Sequence, residues 1–316
     1  MKYSLAIRRL KGLRTICAAL LSACLLPSAM AAQYSVRTEV RILDSLTQQE
    51  IVPSNRPVTT LSFDTLDVTV GNTRASAMSW ADTAGLHFLA TSKSEVVGGK
   101  SLVYSDALAD GSFRDDFVLS SPNHSFGTIG SARVAFAISG NLAGMAYSGG
   151  DALGGNGYAR WRANFSLSNL SGQTDGVRWE GWQSRTFDVG GELNDGTAMP
   201  GVLFFDLPVV FGADFRLEIS AGVEARSGAV ATLVGPGSAG GEASAAFFNT
   251  LAWGGIVSLA DANGAAITDF TALSAETGFD YSRAYISPVP EPAPVTLLLT
   301  GGLVLTLVVR RRQRSA

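Results

Sequence analysis

Apolar and polar positions alternate with a period of two along much of this chain. Over residues 215–226 the alternation is unbroken. Phe215, Leu217, Ile219, Ala221, Val223 and Ala225 fall on one side, and Arg216, Glu218, Ser220, Gly222, Glu224 and Arg226 on the other. Residues 161–168 and 132–139 repeat the pattern. Strands with one dry face and one wet face predict antiparallel sheets. Shorter apolar runs at 60–63, 66–70, 86–91, 117–119, 202–205 and 256–259 predict further strands. Asp110-Gly111, Asp175-Gly176, Asn194-Asp195-Gly196 and Asn263-Gly264 read as hairpin turns, because Asn or Asp before Gly supplies the positive φ such turns need. One helix is expected at 39–50. The glycine-rich stretch 235–241 reads as a loop within the domain. Many short strands at this spacing predict a mainly β body, an antiparallel β-sandwich of jelly-roll type, over residues 32–286.

Charge sharpens this picture. The chain has 316 residues, with 24 Lys+Arg against 27 Asp+Glu. The balance hides two basic ends. Lys2, Arg8, Arg9, Lys11 and Arg14 open the chain, and Arg310, Arg311, Arg312 and Arg314 close it. Residues 32–290 hold 26 acidic and 15 basic residues, a net charge of −11. A surface that acidic repels polyanions, so nucleic acid is excluded as an expected partner. Both cysteines, Cys17 and Cys24, lie in the first 25 residues, which leaves the body without disulfides, thiolate metal sites or a thiol nucleophile.

The ends read as addresses. A basic stretch to Arg14, an apolar stretch over 15–26, Pro27, and small residues at Ala29 and Ala31 match a secretory signal peptide over 1–31, cut by signal peptidase after Ala31. Leu21-Ser22-Ala23-Cys24 offers the rival of a lipidated Cys24. At the other end, 287–294 alternates proline and is expected to be extended. An apolar segment at 295–309 follows, then the basic tail 310–316. Fifteen helical residues span about 22 Å, short of a ~30 Å hydrocarbon core. With snorkelling arginines they make a marginal transmembrane helix. The arginines act as a membrane stop, with the tail in the cytoplasm.

Val289, Pro290, Glu291, Pro292 and Ala293, followed by the apolar span and the arginines, resemble the PEP-CTERM sorting signal of Gram-negative bacteria. The resemblance covers about 27 of the 316 residues. It implies recognition by an exosortase, cleavage near the motif, and a species that makes extracellular polysaccharide. The body carries a looser likeness to sheet-rich PEP-CTERM proteins of unassigned activity. It rests on 244–251, Asp261 to Gly264, and Gly278-Phe279-Asp280-Tyr281.

Candidate chemistry is sparse. His87 and His124 are the only histidines and read as solvated, His87 on the polar face of a strand and His124 in a turn. Neither a Gly-x-Ser-x-Gly elbow nor an HExxH zinc helix occurs. Residues 149–157 are rich in glycine but lack the Lys-Ser/Thr of a phosphate cradle, and read as a loop. Asp106, Asp110, Asp115 and Asp116 form a weak calcium candidate without EF-hand spacing. Trp179, Glu180 and Trp182 are the candidate carbohydrate contacts, since indole faces stack on sugar CH groups. Spaced three apart on a strand, the two indoles face opposite ways, so one is expected in the core. Hydrolysis would need two carboxylates at a fixed separation.

The expected protein has no enzymatic activity and no cofactor. It is exported across the inner membrane, transiently anchored there, then processed by an exosortase and placed at the cell surface, in the matrix or in the medium. The alternative is a lectin-like module that binds exopolysaccharide.

Overall fold

The alternating segments fold as strands that pair in two sheets. A computed structural model describes residues 32–44, 54–58, 62–97, 102–150, 152–172, 174–196, 201–231 and 237–284, without the side chains of 54–58, 62–63 and 248–250. The expected signal peptide, with Cys24, Ala29 and Ala31, lies outside the described residues. So does the tail with Val289, Pro290, Glu291, Pro292, Ala293, Arg310, Arg311, Arg312 and Arg314. Among the described residues, no helix is long and apolar enough to cross a membrane.

In chain order the strands are β1 (Gln33–Asp44), β2 (Ser54–Val58), β3 (Ser62–Val70), β4 (Thr73–Asp82), β5 (Gly85–Val97), β6 (Leu102–Ser120), β7 (Ile129–Ile138), β8 (Asn141–Gly150), β9 (Gly154–Asn169), β10 (Val177–Asp188), β11 (Gly191–Gly196), β12 (Gly201–Val210), β13 (Asp214–Val230), β14 (Gly237–Asp261) and β15 (Thr271–Ser274). The first sheet runs β11-β10-β9-β13-β6-β1-β2, with β15 also on β6. The second runs β12-β7-β14-β5-β4-β3, with β8 also on β14. The described pairings are antiparallel, as the alternation predicted. Four outer strands carry prolines or acids, Pro57 in β2, Pro208 in β12, Glu192 and Asp195 in β11 and Asp67 in β3, whereas β8 carries neither.

The dry faces of the two sheets meet in an aromatic core. Phe136 of β7 stacks on Phe165 of β9 with ring centroids 3.8 Å apart, and Trp161 of β9 lies 6.1 Å from Phe247 of β14. Each such fully buried side chain contributes about 1.5–3 kcal/mol over leaving it in water. Toward one end the core turns polar. Ser92 of β5 lies 2.7 Å from both Ser105 of β6 and Ser227 of β13, with Ser94 2.9 Å from Ser227. These buried hydroxyls tie the sheets together there. Beyond them the backbones nearly touch: a Cβ on Gly155 would lie 1.9 Å from the Gly240 carbonyl oxygen, and one on Gly241 would lie 1.8 Å from that of Asn156. Only glycine fits at that closeness.

Several local expectations are overturned. Residues 39–44 are not helical; they continue β1 and pair in register with β6, and 45–50 lie outside the described residues. Asp110-Gly111 is not a turn, because β6 runs straight through it. Gly111 is present for space, since a Cβ there would meet the Ser35 carbonyl at 2.7 Å and Phe88 of the facing sheet at 3.4 Å. Residues 237–241 are the start of β14 rather than a loop, and 149–150 and 154–157 belong to β8 and β9. Asp175-Gly176 and Asn263-Gly264 do lie in connections, while Asn194-Asp195-Gly196 ends β11.

Candidate functional site

The outward side chains of the first sheet form rows that cross the strands. One row is short: Ser35 (β1), Ser112 (β6), Ser220 (β13) and Asn164 (β9), each opposite the next, ending at Glu180 (β10). The rows on either side are longer. One holds Gln33, Arg114, Glu218, Ser166 and Arg178; the other holds Arg37, Asp110, Gly222, Arg162 and Trp182. Short side chains between long ones make a trough with a hydroxyl and amide floor.

Neighbouring hollows along the row share lining residues. A hollow of about 730 Å³ and one of about 370 Å³ share Ser35, Ser112, Asn164 and Ser220. The second shares Arg162 and Glu180 with a third, of about 560 Å³, that reaches Trp182, Leu193 and Asp195. Arg114 Nε stands 3.5 Å from Glu218 Oε1, which fixes one wall. In the other wall, burial pushes the Asp110 carboxyl up, against the pull of Arg37 and Arg162.

The strand alternation separates the two tryptophans as expected. Trp179 packs inward, 6.0 Å from the Phe165 ring. Trp182 points outward, 42% exposed. Its indole lies over Gly196, where a Cβ would come within 2.8 Å of the ring. Gly196 also has φ +91°, a conformation that suits glycine. One exposed, positioned indole and Glu180 thus stand at the trough's end, while Trp179 belongs to the core.

The aspartate cluster does not assemble. On β6, Asp106, Asp110 and Asp116 face outward and Asp115 faces inward. Asp116 is held by a two-pronged bond from Arg216, at 2.8 and 2.9 Å. Asp115 is 1% exposed and accepts hydrogen bonds from Ser274, Thr277 and Tyr281. Asp106 lies 3.6 Å from Arg226, and burial raises its carboxyl to about 6. Among the described residues, no group of three or more His, Cys, Asp or Glu is placed to hold a metal. Beside the trough, Glu39 pairs with Arg37 and Arg41, and Glu224 with Arg160 and Arg226. Of these, only Arg160–Glu224 joins two strands, β9 and β13; the others lie along β1 and along β13.

The histidines differ from each other. His87 does face outward on β5, but it is 2% exposed rather than solvated. It stacks on Trp80 at 4.1 Å with Nε2 3.3 Å from Asp82. His124 sits in the expected turn, half-buried, with its ring over Phe211 at 5.0 Å and Nδ1 3.2 Å from the Ser121 hydroxyl.

Of the residues lining these hollows, the sequence singled out Glu180 and Trp182 but not Ser35, Ser112, Asn164, Arg162 and Ser220. These come from four strands far apart in the chain, and only the pairing register puts them in neighbouring rows. The alternation at 161–168 and 215–226 already placed Asn164, Arg162 and Ser220 on the wet face, which was the one available signal.

No family model matches the chain, and no curated protein matches it. Among solved structures, the chain aligns with T=1 particles derived from infectious bursal virus at 9% identity, over 72% of this chain and 82% of that one, with a TM-score of 0.09. It also aligns with infectious bursal disease virus Gt strain at 8% identity, over 87% and 90%, again at 0.09. Likeness at that score carries no argument about fold or function.

Proposed function

We propose that this chain is an exported bacterial protein of the cell surface or extracellular matrix that binds extracellular polysaccharide without cleaving it. In this reading a jelly-roll body lies between an N-terminal signal helix, removed by signal peptidase, and a C-terminal membrane helix within an exosortase-processed PEP-CTERM signal. The observation that carries the binding role is the trough of Ser35, Ser112, Ser220 and Asn164, with Glu180 at its end and the exposed Trp182 beside it on the same strand. A floor of hydroxyl and amide groups suits sugar hydroxyls. An indole held at one end supplies the flat apolar face that sugar CH groups stack on.

Binding without hydrolysis is favoured by carboxylate spacing. Asp110 and Glu180, which line the second hollow, lie three strands apart and two residues out of register, at least roughly 14 Å between backbones at ~4.8 Å per strand. Glycosidase pairs sit about 5–9.5 Å apart. The sorting role rests on the two ends of the sequence, with their basic, apolar and proline-rich parts in order.

Binding of the full chain to a panel of bacterial polysaccharides tests the first role. Retention is expected with wild type and loss with Trp182→Ala; no retention on any polymer would overturn it. Intact mass tests the second. A mature species starting near Ala32 and lacking 295–316 is expected, and one that keeps the arginine tail would overturn processing.

A further inference from the structure

Resting on the glycan-binding reading, we infer that the trough takes an extended, β-linked pyranose chain lying across the strands, one sugar per strand, with its end on Trp182. The register carries this. Ser35, Ser112, Ser220, Asn164 and Glu180 belong to five adjacent strands and stand directly opposite one another. Adjacent strands are about 4.8 Å apart, close to the advance per residue of an extended β-1,4-linked chain. Each step along the row therefore presents one polar side chain to one sugar.

The shape of the trough agrees. Its walls of Arg114 and Glu218 on one side and Arg37, Asp110 and Arg162 on the other run parallel to the polar row. A ligand along the row lies between them, whereas one along a strand would cross them. The row also turns with the sheet, roughly 20–25° per strand, and rotation about glycosidic bonds lets an extended chain follow. A coiled α-1,4-linked chain departs from a straight row after one or two units.

The test is affinity against chain length, measured by calorimetry on the full chain. The probes are cello-, xylo-, manno- and chito-oligosaccharides of two to six units, with malto-oligosaccharides as the coiled series. At least one β-linked series is expected to gain tenfold or more in affinity from two units to five and to level off at six, while the malto series gains nothing beyond two. Ser220→Phe and Ser112→Phe place a ring on the floor at outward positions. Each is expected to lower pentasaccharide affinity at least tenfold with an unchanged melting temperature. Arg133→Gln, on the second sheet, is expected to change nothing. Length-independent binding, an equal gain in the malto series, or floor variants that bind the pentasaccharide like wild type would overturn this inference and leave the glycan reading standing. No binding in any series would also overturn the inference, and together with no retention on the polysaccharide panel it would remove both.

Discussion

Asp115 and Tyr281, 166 residues apart, share a 2.7 Å hydrogen bond from the phenol to the carboxyl inside the core. Ser274 and Thr277 donate to the same carboxyl, each at 2.9 Å. The indole of Trp253 in turn donates to the Tyr281 carbonyl at 2.7 Å. One inward residue of β6 thus fastens the stretch from Ser274 to Tyr281.

Breaking that fastening is expected to destabilise the fold by graded amounts. Tyr281→Phe removes one donor and costs about 1–2 kcal/mol, whereas Asp115→Ala leaves three hydroxyls without that acceptor and costs about 3 kcal/mol or more. The double variant costs less than the sum, since both act on one network. Urea denaturation of the four proteins measures this, and strict additivity would count against a shared network.

The same phenol sets an alkaline limit. Burial and the Asp115 carboxyl push the Tyr281 phenol far above its ordinary range, and burial lifts Tyr104 to about 12. In the unfolded chain both lose their protons near pH 10. A proton kept longer in the folded state means that stability is full below about pH 10 and falls as pH rises further. Melting temperatures between pH 8 and 11 should show the decline, and Tyr281→Phe should make it shallower. Equal slopes would reject the assignment to Tyr281.

Asp106 acts with the same sign at lower pH. Its folded carboxyl titrates near 6, raised by burial against the attraction of Arg226, while the unfolded group titrates near 3.8. Stability it contributes in acid is lost as pH rises from about 4 to about 6, by no more than about 3 kcal/mol. Asp106→Asn should therefore stabilise the protein at pH 7.5 more than at pH 4. The same shift at both pH values would show that Asp106 carries no such linkage.

Trp179 and Trp182 should separate packing from binding. Trp179→Ala removes a ring set against Phe165 and is expected to cost about 3 kcal/mol. Trp182→Ala removes an exposed ring and should stay within about 0.5 kcal/mol of wild type while abolishing polysaccharide retention. Chemical denaturation and retention assays on both variants decide. The reverse pattern would place the site on the wrong face.

The close approach at Gly155 gives a steric prediction. A methyl group there would collide with the Gly240 backbone, not with a movable side chain. Gly155→Ala is expected to cost at least about 2–3 kcal/mol. A neutral effect on the denaturation midpoint would mean that the sheets stand farther apart there.

The sheets were legible wherever one face is wet. The alternation at 132–139, 161–168 and 215–226 reads directly onto β7, β9 and β13, and it also separated Trp179 from Trp182. Glycine was harder to read, because its two uses look alike in a sequence. At Gly264 it serves a turn with φ +83°, but at Gly111 and Gly241 it serves closeness to another strand. That ambiguity turned a strand interior at Asp110 into an expected hairpin. Burial of His87 was equally hidden, since alternation assigns a side to a residue but not what covers that side. The trough was least legible, because a row across five strands is a property of register and has no local pattern.

The outer strands bear on how copies of this chain meet one another. An open strand offers unpaired amide and carbonyl groups that a neighbouring molecule can extend into a ribbon. Pro57 and Pro208 each withhold an amide hydrogen at such a border, while Glu192 and Asp195 on β11 and Asp67 on β3 bring like charges together when two molecules align. Ribbon growth is thereby disfavoured at those four borders, whereas β8, paired among the described residues only with β14 and lacking both proline and charge, stays an open one.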